Sequence, residues 1–277
     1  MKNNFEKIHN KTNELKDLIF DPTVRVLPGN VAFFLILSIF PMLMLIGYVA
    51  SLFGLSINSV VNIINGTIPP EMAHTIIEVI TGKSFDSTIG ISMILGFILA
   101  SNGTHAIIIA SNTLYGFPAD DFVRRRVKAL FMITLLVFLF LFLILFLAYG
   151  NVIAKAAINI FHLSWFESSL YTFFQVVKWP LAMILMFTTI KLIYVIAPDW
   201  KILSKNTTKG ALFTTIGWTF STAIFSYYVT HFANYDIFYG SLSNIVVLMI
   251  WVYVLSYVLV LGIAINVKKY RDDEAEQ

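Results

Sequence analysis

Long unbroken apolar runs dominate the pattern of this chain. A helix needs about 20 mainly apolar residues to cross the hydrocarbon core of a bilayer. Six stretches reach that length: 31–54, 89–110, 127–149, 177–197, 210–231 and 243–266. The third, VKALFMITLLVFLFLFLILFLAY, is nearly pure hydrocarbon. The first contains Pro41, the fourth ends just before Pro198, and the fifth is rich in Thr and Ser. The pattern predicts an all-α polytopic membrane protein, a single membrane domain over 1–277 built as a bundle of six transmembrane helices.

The segments between the spans carry weaker, amphipathic patterns. In the N-terminal segment 1–30, Phe5, Ile8, Leu15, Leu18 and Ile19 share one face of a short helix that Pro22 ends. It suits either a helix lying in the interface or one that docks a partner. The loop 56–88 predicts two short amphipathic helices around Pro69-Pro70, and 151–176 predicts a third, followed by Trp165 and Phe166 at an aromatic-belt position. The tail 267–277 is charged and is expected to fray. No signal peptide is visible, so insertion through the spans themselves is expected.

Composition narrows the function classes. Hydrophobic residues make up 58% of the 277 residues and charged residues 13%, against roughly 25% charged in soluble domains. A soluble fold could not hide so much apolar surface, which excludes an ordinary soluble enzyme. With no Cys, there are no disulfides, thiolate metal sites or Cys nucleophiles. A net charge of +3 is too small to argue for nucleic acid.

Charge placement says more than the sum. Fifteen of the nineteen Lys and Arg fall in the N-terminal segment, the loops after spans two and four, and the tail. The alternate loops hold only Lys83 and Lys155. The positive-inside rule then puts both termini in the cytoplasm. None of the 16 Asp and Glu lies inside a span, which disfavours coupling through buried carboxylates.

Two spans carry small-residue stripes: Ser92, Gly96, Ala100 and Thr104 in the second, and Ala211, Thr215, Thr219 and Ala223 in the fifth. Small residues let helices approach closely in lipid. The stripes serve tight packing or line a polar path; either role puts spans two and five at the centre. Asn102, Thr104 and His105 add polar groups at inner-leaflet depth, where such groups are costly and turn inward. They either bond neighbouring helices or line a path for a polar headgroup or a proton. Lys191, deep in span four, either snorkels to the cytoplasmic surface or offers a buried cation to an anionic headgroup. Lys178, beside Trp179, suits an interface anchor. Pro41 is a static kink or a hinge. No cofactor, metal or catalytic residue is indicated. The string TGKS at 81–84 lacks the first Gly of a phosphate loop, and the His residues are scattered.

Tyr239-Gly240-Ser241-Leu242, Trp251 with Tyr253, and the ending Leu261-Gly262-Ile263-Ala264-Ile265-Asn266 resemble the YihY, or virulence factor BrkB, family. Leu27-Pro28, AFFLILSIFPML, Ser101-Asn102-Gly103 and the stretch from Pro198 to Trp218 fit the same family in the same order. The resemblance implies a six-span bacterial inner-membrane protein involved in envelope integrity, serum resistance and transport of lipids or lipid-linked precursors. Ala264 stands where that family often has Glu. The family's old ribonuclease BN label finds no acid–His cluster here to hold metal ions against RNA. The expectation is a protein that moves or flips a lipid or lipid-linked amphiphile, with membrane lipids as partners. A non-catalytic scaffold or assembly factor of the cell envelope is the alternative. Oligomeric state is not legible.

Overall fold

The computed structural model describes residues 22–52, 61, 89–118, 121–139, 167–231, 235 and 239–275. Among them every regular element is helical: α1 Pro22–Leu52, α2 Ile89–Tyr115, α3 over 122–139, α4 Glu167–Ile196, α5 Ser204–His231 and α6 Ser243–Ala275, the last preceded by a 3-10 turn at Gly240–Leu242. The chain is an all-helical membrane protein. Stretches of α2, α4 and α6 are each long and apolar enough to span a bilayer on their own. The expected interfacial helix at 5–19, the amphipathic helices of 56–88, the segment 151–166 and the second half of the third span lie outside the described residues.

The helices overrun the predicted spans. Pro22 does not close a preceding element within the described residues but opens α1, where the missing N–H and fixed φ of proline suit the first turn. The helix runs on through Pro28 and Pro41. At the other end of the chain the expected frayed tail is instead the last turns of α6, which reaches Ala275. The i,i+4 pairs Lys269–Asp273 and Tyr270–Glu274 hold these turns, and Arg271 Nη2 donates to the Leu114 carbonyl at 3.3 Å.

α6 lies against α5, α1 and α2, while α2 lies against α1, α6 and, through Thr104 and the Ala129 carbonyl, α3. One cluster of buried side chains runs from Val24 and Val31 of α1 through Ile107 and Ile108 of α2 to Leu259 and Ile263 of α6. A second joins Ala32, Phe225, Val229, Leu248 and Val252 nearer the start of α6.

Two close crossings explain why these helices meet where they do. Between α1 and α2, Ser38 Oγ donates to the Phe34 carbonyl at 2.6 Å and accepts the Gly103 N–H at 2.9 Å. A Cβ on Gly103 would stand 2.9 Å from Leu35 Cδ2. Between α5 and α6, Gly210 and Gly262 lie back to back, and a Cβ on Gly210 would fall on the Gly262 carbonyl oxygen. Small residues allow this approach in lipid, where no hydrophobic force drives helices together. Gly116, at φ 73, ends α2. The Phe117 N–H then turns back to the Asn112 carbonyl at 3.0 Å, as at many helix C-termini.

Candidate functional site

Each predicted site residue can be located except where its side chain lies outside the described set, as with Ser92 and Lys178. Ala100 and Thr104 are buried, and Gly96 faces Pro41, its Cβ position 3.9 Å from that of the proline. Thr104 Oγ1 lies 2.9 Å from the Ser101 carbonyl and 2.8 Å from the Ala129 carbonyl. It knits α2 to α3 and has little left for a ligand. The stripe of α5 divides. Ala211 and Thr215 are buried, whereas Thr219 and Ala223 are exposed. The face that meets α6 is instead Gly210, Thr214 and Gly217. Lys191 is half-buried with its Nζ over the Phe187 ring, 6.0 Å from the centroid. No described contact joins it to Asn102 or His105.

Asn102 and His105 belong to a cluster that the sequence did not suggest. The contact between Thr104 and the Ala129 carbonyl fixes the register of α2 against α3. Arg126 starts on the loop side of that level, yet its head points away from the loop. Its Nη1 donates to Asn102 Oδ1 at 2.8 Å and its Nη2 to the Ile98 carbonyl at 2.9 Å. A snorkelling arginine would turn the other way, towards the interface. His105 stacks edge-on to Phe122, centroids 6.3 Å apart, within the electrostatic reach of Arg126, Arg125 and Asp199. Arg125, Arg126, Asn102 and His105 are all half-buried. His105 Nε2 and Arg125 Nε are shut off from solvent and have no partner within the protein. Among the described residues neither arginine meets a carboxylate.

A second polar set closes the loop end of the bundle. Asp199, its side chain 1% exposed, takes Lys128 Nζ at 2.5 Å on one oxygen and Asn112 Nδ2 at 2.5 Å on the other. Its backbone N–H returns to Asn112 Oδ1 at 2.8 Å. Lys128 also donates to the Pro198 carbonyl at 2.9 Å. Three separate segments are tied at one point, and all three Lys128 N–H groups have acceptors. An aromatic collar lies beside it: Tyr115 stacks on Phe117 at 5.1 Å, Phe117 on Trp200 at 5.8 Å, and Tyr270 meets Tyr115 and Phe117 edge-on. Charge counting treats Arg125, Arg126 and Lys128 as solvated loop charges. Only the interhelical register shows that they turn into the bundle.

A third set is internal to α4, α5 and α6. The Tyr194 hydroxyl donates to the Leu259 carbonyl at 2.8 Å and lies 2.6 Å from Thr214 Oγ1. Asn266 Oδ1 accepts the Gly210 N–H at 2.8 Å. Trp218 Nε1 donates to the Leu255 carbonyl at 2.8 Å. These bonds bind helices to one another in a medium that offers no water. Among the described residues no three His, Asp or Glu side chains gather closely enough to hold a metal ion.

The family model described as virulence factor BrkB matches residues 22–277. Among curated proteins, the chain is 31% identical to the putative ribonuclease-like protein YfkH of Bacillus subtilis over 243 residues, 86% of this chain and 87% of the relative. It is 28% identical to UPF0761 membrane protein VP0125 of Vibrio parahaemolyticus, over 90% of this chain and 78% of the relative. It is 25% identical to UPF0761 membrane protein VV0203 of Vibrio vulnificus, over 86% of this chain and 75% of that protein. No solved structure matches significantly.

Proposed function

Because this chain belongs to the virulence factor BrkB family of membrane proteins, we propose that it moves a lipid or lipid-linked amphiphile between the leaflets of the bacterial plasma membrane. One observation carries the reading: the Arg126 guanidinium is held by Asn102 and the Ile98 carbonyl, drawn away from the loop. Charge at such depth is expensive and faces a path or a partner. The apolar surface on both sides suits the chains of an amphiphile: Ile94, Leu95 and Leu99 of α2 and Phe122, Val127 and Phe131 of α3 are exposed. The distribution of Lys and Arg supports cytoplasmic termini. No catalytic role enters the reading, and the ribonuclease-like name stays with the relative that bears it.

The test is leaflet transfer of a fluorescent phospholipid in vesicles carrying the purified protein. Wild type is expected to accelerate transfer, and Asn102→Ala and His105→Ala to slow it while elution and melting stay unchanged. A scaffold would give no protein-dependent transfer. That alternative has its own support in the Lys128–Asp199–Asn112 tie, which spends its polar groups on holding segments together. If both variants fold and transfer at the wild-type rate, the assignment of Asn102 and His105 fails.

A further inference from the structure

We infer that the polar groups at the α2–α3 contact, Arg126, Arg125 and His105, bind the phosphate of an anionic phospholipid, an assignment that rests on the transport reading and names its substrate class. Arginine has five N–H donors in a planar fork. In Arg126 two are taken, by Asn102 Oδ1 and the Ile98 carbonyl, and three remain. Arg125 Nε and His105 Nε2 are buried beside it without a partner in the protein. Buried polar atoms in native proteins nearly always have a partner, and one acceptor group with several oxygens can serve more than one of them. A phosphodiester does this, and arginine forks match its geometry.

Charge selects the lipid. Two guanidinium groups lie here, and the Asp199 carboxylate that also acts on His105 is already paired with Lys128, so the site carries positive charge. A headgroup whose own ammonium neutralises its phosphate is disfavoured, and one with bare negative charge is favoured. Surroundings select the source. Exposed apolar side chains lie on both helices that hold the site, Leu95 and Leu99 on α2 and Val127 and Phe131 on α3. Acyl chains can lie along these rows, whereas a free phosphate ion would gain nothing from them. Asn102 aims the guanidinium by holding one corner of it.

The experiment incorporates the full chain into vesicles of equal phosphatidylglycerol and phosphatidylcholine, extracts it in mild detergent and measures both lipids retained. Wild type is expected to retain phosphatidylglycerol in about tenfold excess, the ratio that a single strong charged contact produces. Arg126→Gln should bring the ratio close to that of the vesicles, and Arg125→Gln should lower it. Lys201→Gln, an exposed linker charge, should leave it unchanged. Should Arg126→Gln fail to fold, Arg126→Lys keeps the charge and removes the fork, and it should also lose most of the excess. An unchanged ratio in any folded Arg126 variant overturns the site. Excess inorganic phosphate is expected to leave the retained lipid in place; its displacement would assign the site to free phosphate and overturn the lipid assignment. Transfer by wild type without phosphatidylglycerol preference defeats this inference alone. Preference without transfer leaves the site standing and defeats the transport reading.

Discussion

Gly210 donates its backbone N–H to Asn266 Oδ1 at 2.8 Å, and the absence of a side chain on Gly210 makes room for the Gly262 carbonyl. Gly262 in turn leaves space for the Tyr194 hydroxyl and Thr214 Oγ1. α5 and α6 therefore touch through backbone and polar atoms. Gly210→Ala and Gly262→Ala should each cost about 1–3 kcal/mol, the range for overpacking a close contact. Gly29→Ala is the contrast, because nothing lies within 4 Å of its Cβ position. There the helix propensity of Ala should stabilise by up to about 1 kcal/mol. Melting temperatures in detergent distinguish the two outcomes.

Lys128→Met should destabilise strongly, by about 3–5 kcal/mol, because it leaves the buried Asp199 carboxylate without its cation. Combining Lys128→Met with Asp199→Asn should recover much of that loss, since the cost lies in the unpaired charge. A double variant as unstable as Lys128→Met alone would mean that Asp199 is not the group stranded.

Tyr194→Phe removes a buried hydroxyl that donates to the Leu259 carbonyl and contacts Thr214. A loss of about 1–3 kcal/mol is expected, the range for a buried group left unsatisfied. Melting of Tyr194→Phe against wild type measures it.

Pro41 stands inside α1 beside Gly96. A proline in a helix interior costs about 3 kcal/mol relative to Ala, so Pro41→Ala should raise the melting temperature. If Pro41 serves as a hinge, leaflet transfer falls in the same variant despite the gain in stability. Unchanged transfer identifies a static proline.

The chain has no cysteine, so single cysteines report topology directly. Lys201→Cys should react with a membrane-impermeant thiol reagent only when the cytoplasmic side is open. Lys83→Cys should react from outside in intact cells. The opposite pattern would invert the orientation.

The membrane class was legible from hydrocarbon length alone, because apolar residues in runs of about 20 have no other use in a chain so poor in charge. The six long helices among the described residues overlap the predicted runs, and α6 extends past its run where local bonds hold it, as at Lys269–Asp273. Asn102 and His105 were legible as polar residues at an unusual depth. Their companion Arg126 was not, because three adjacent arginines next to a span look like any cytoplasmic anchor.

Hydropathy is a property of each residue, so sequence by itself determined which segments are apolar, how many there are and, through Lys and Arg placement, the orientation to expect. Tertiary structure alone decided which helices lie against one another, which small residues make the contact, and which way each long side chain points. Gly210 meets Gly262, and Arg126 reaches back to Asn102, because of interhelical register. That register is set by the fit of whole helix surfaces and leaves no periodic mark in either segment read alone.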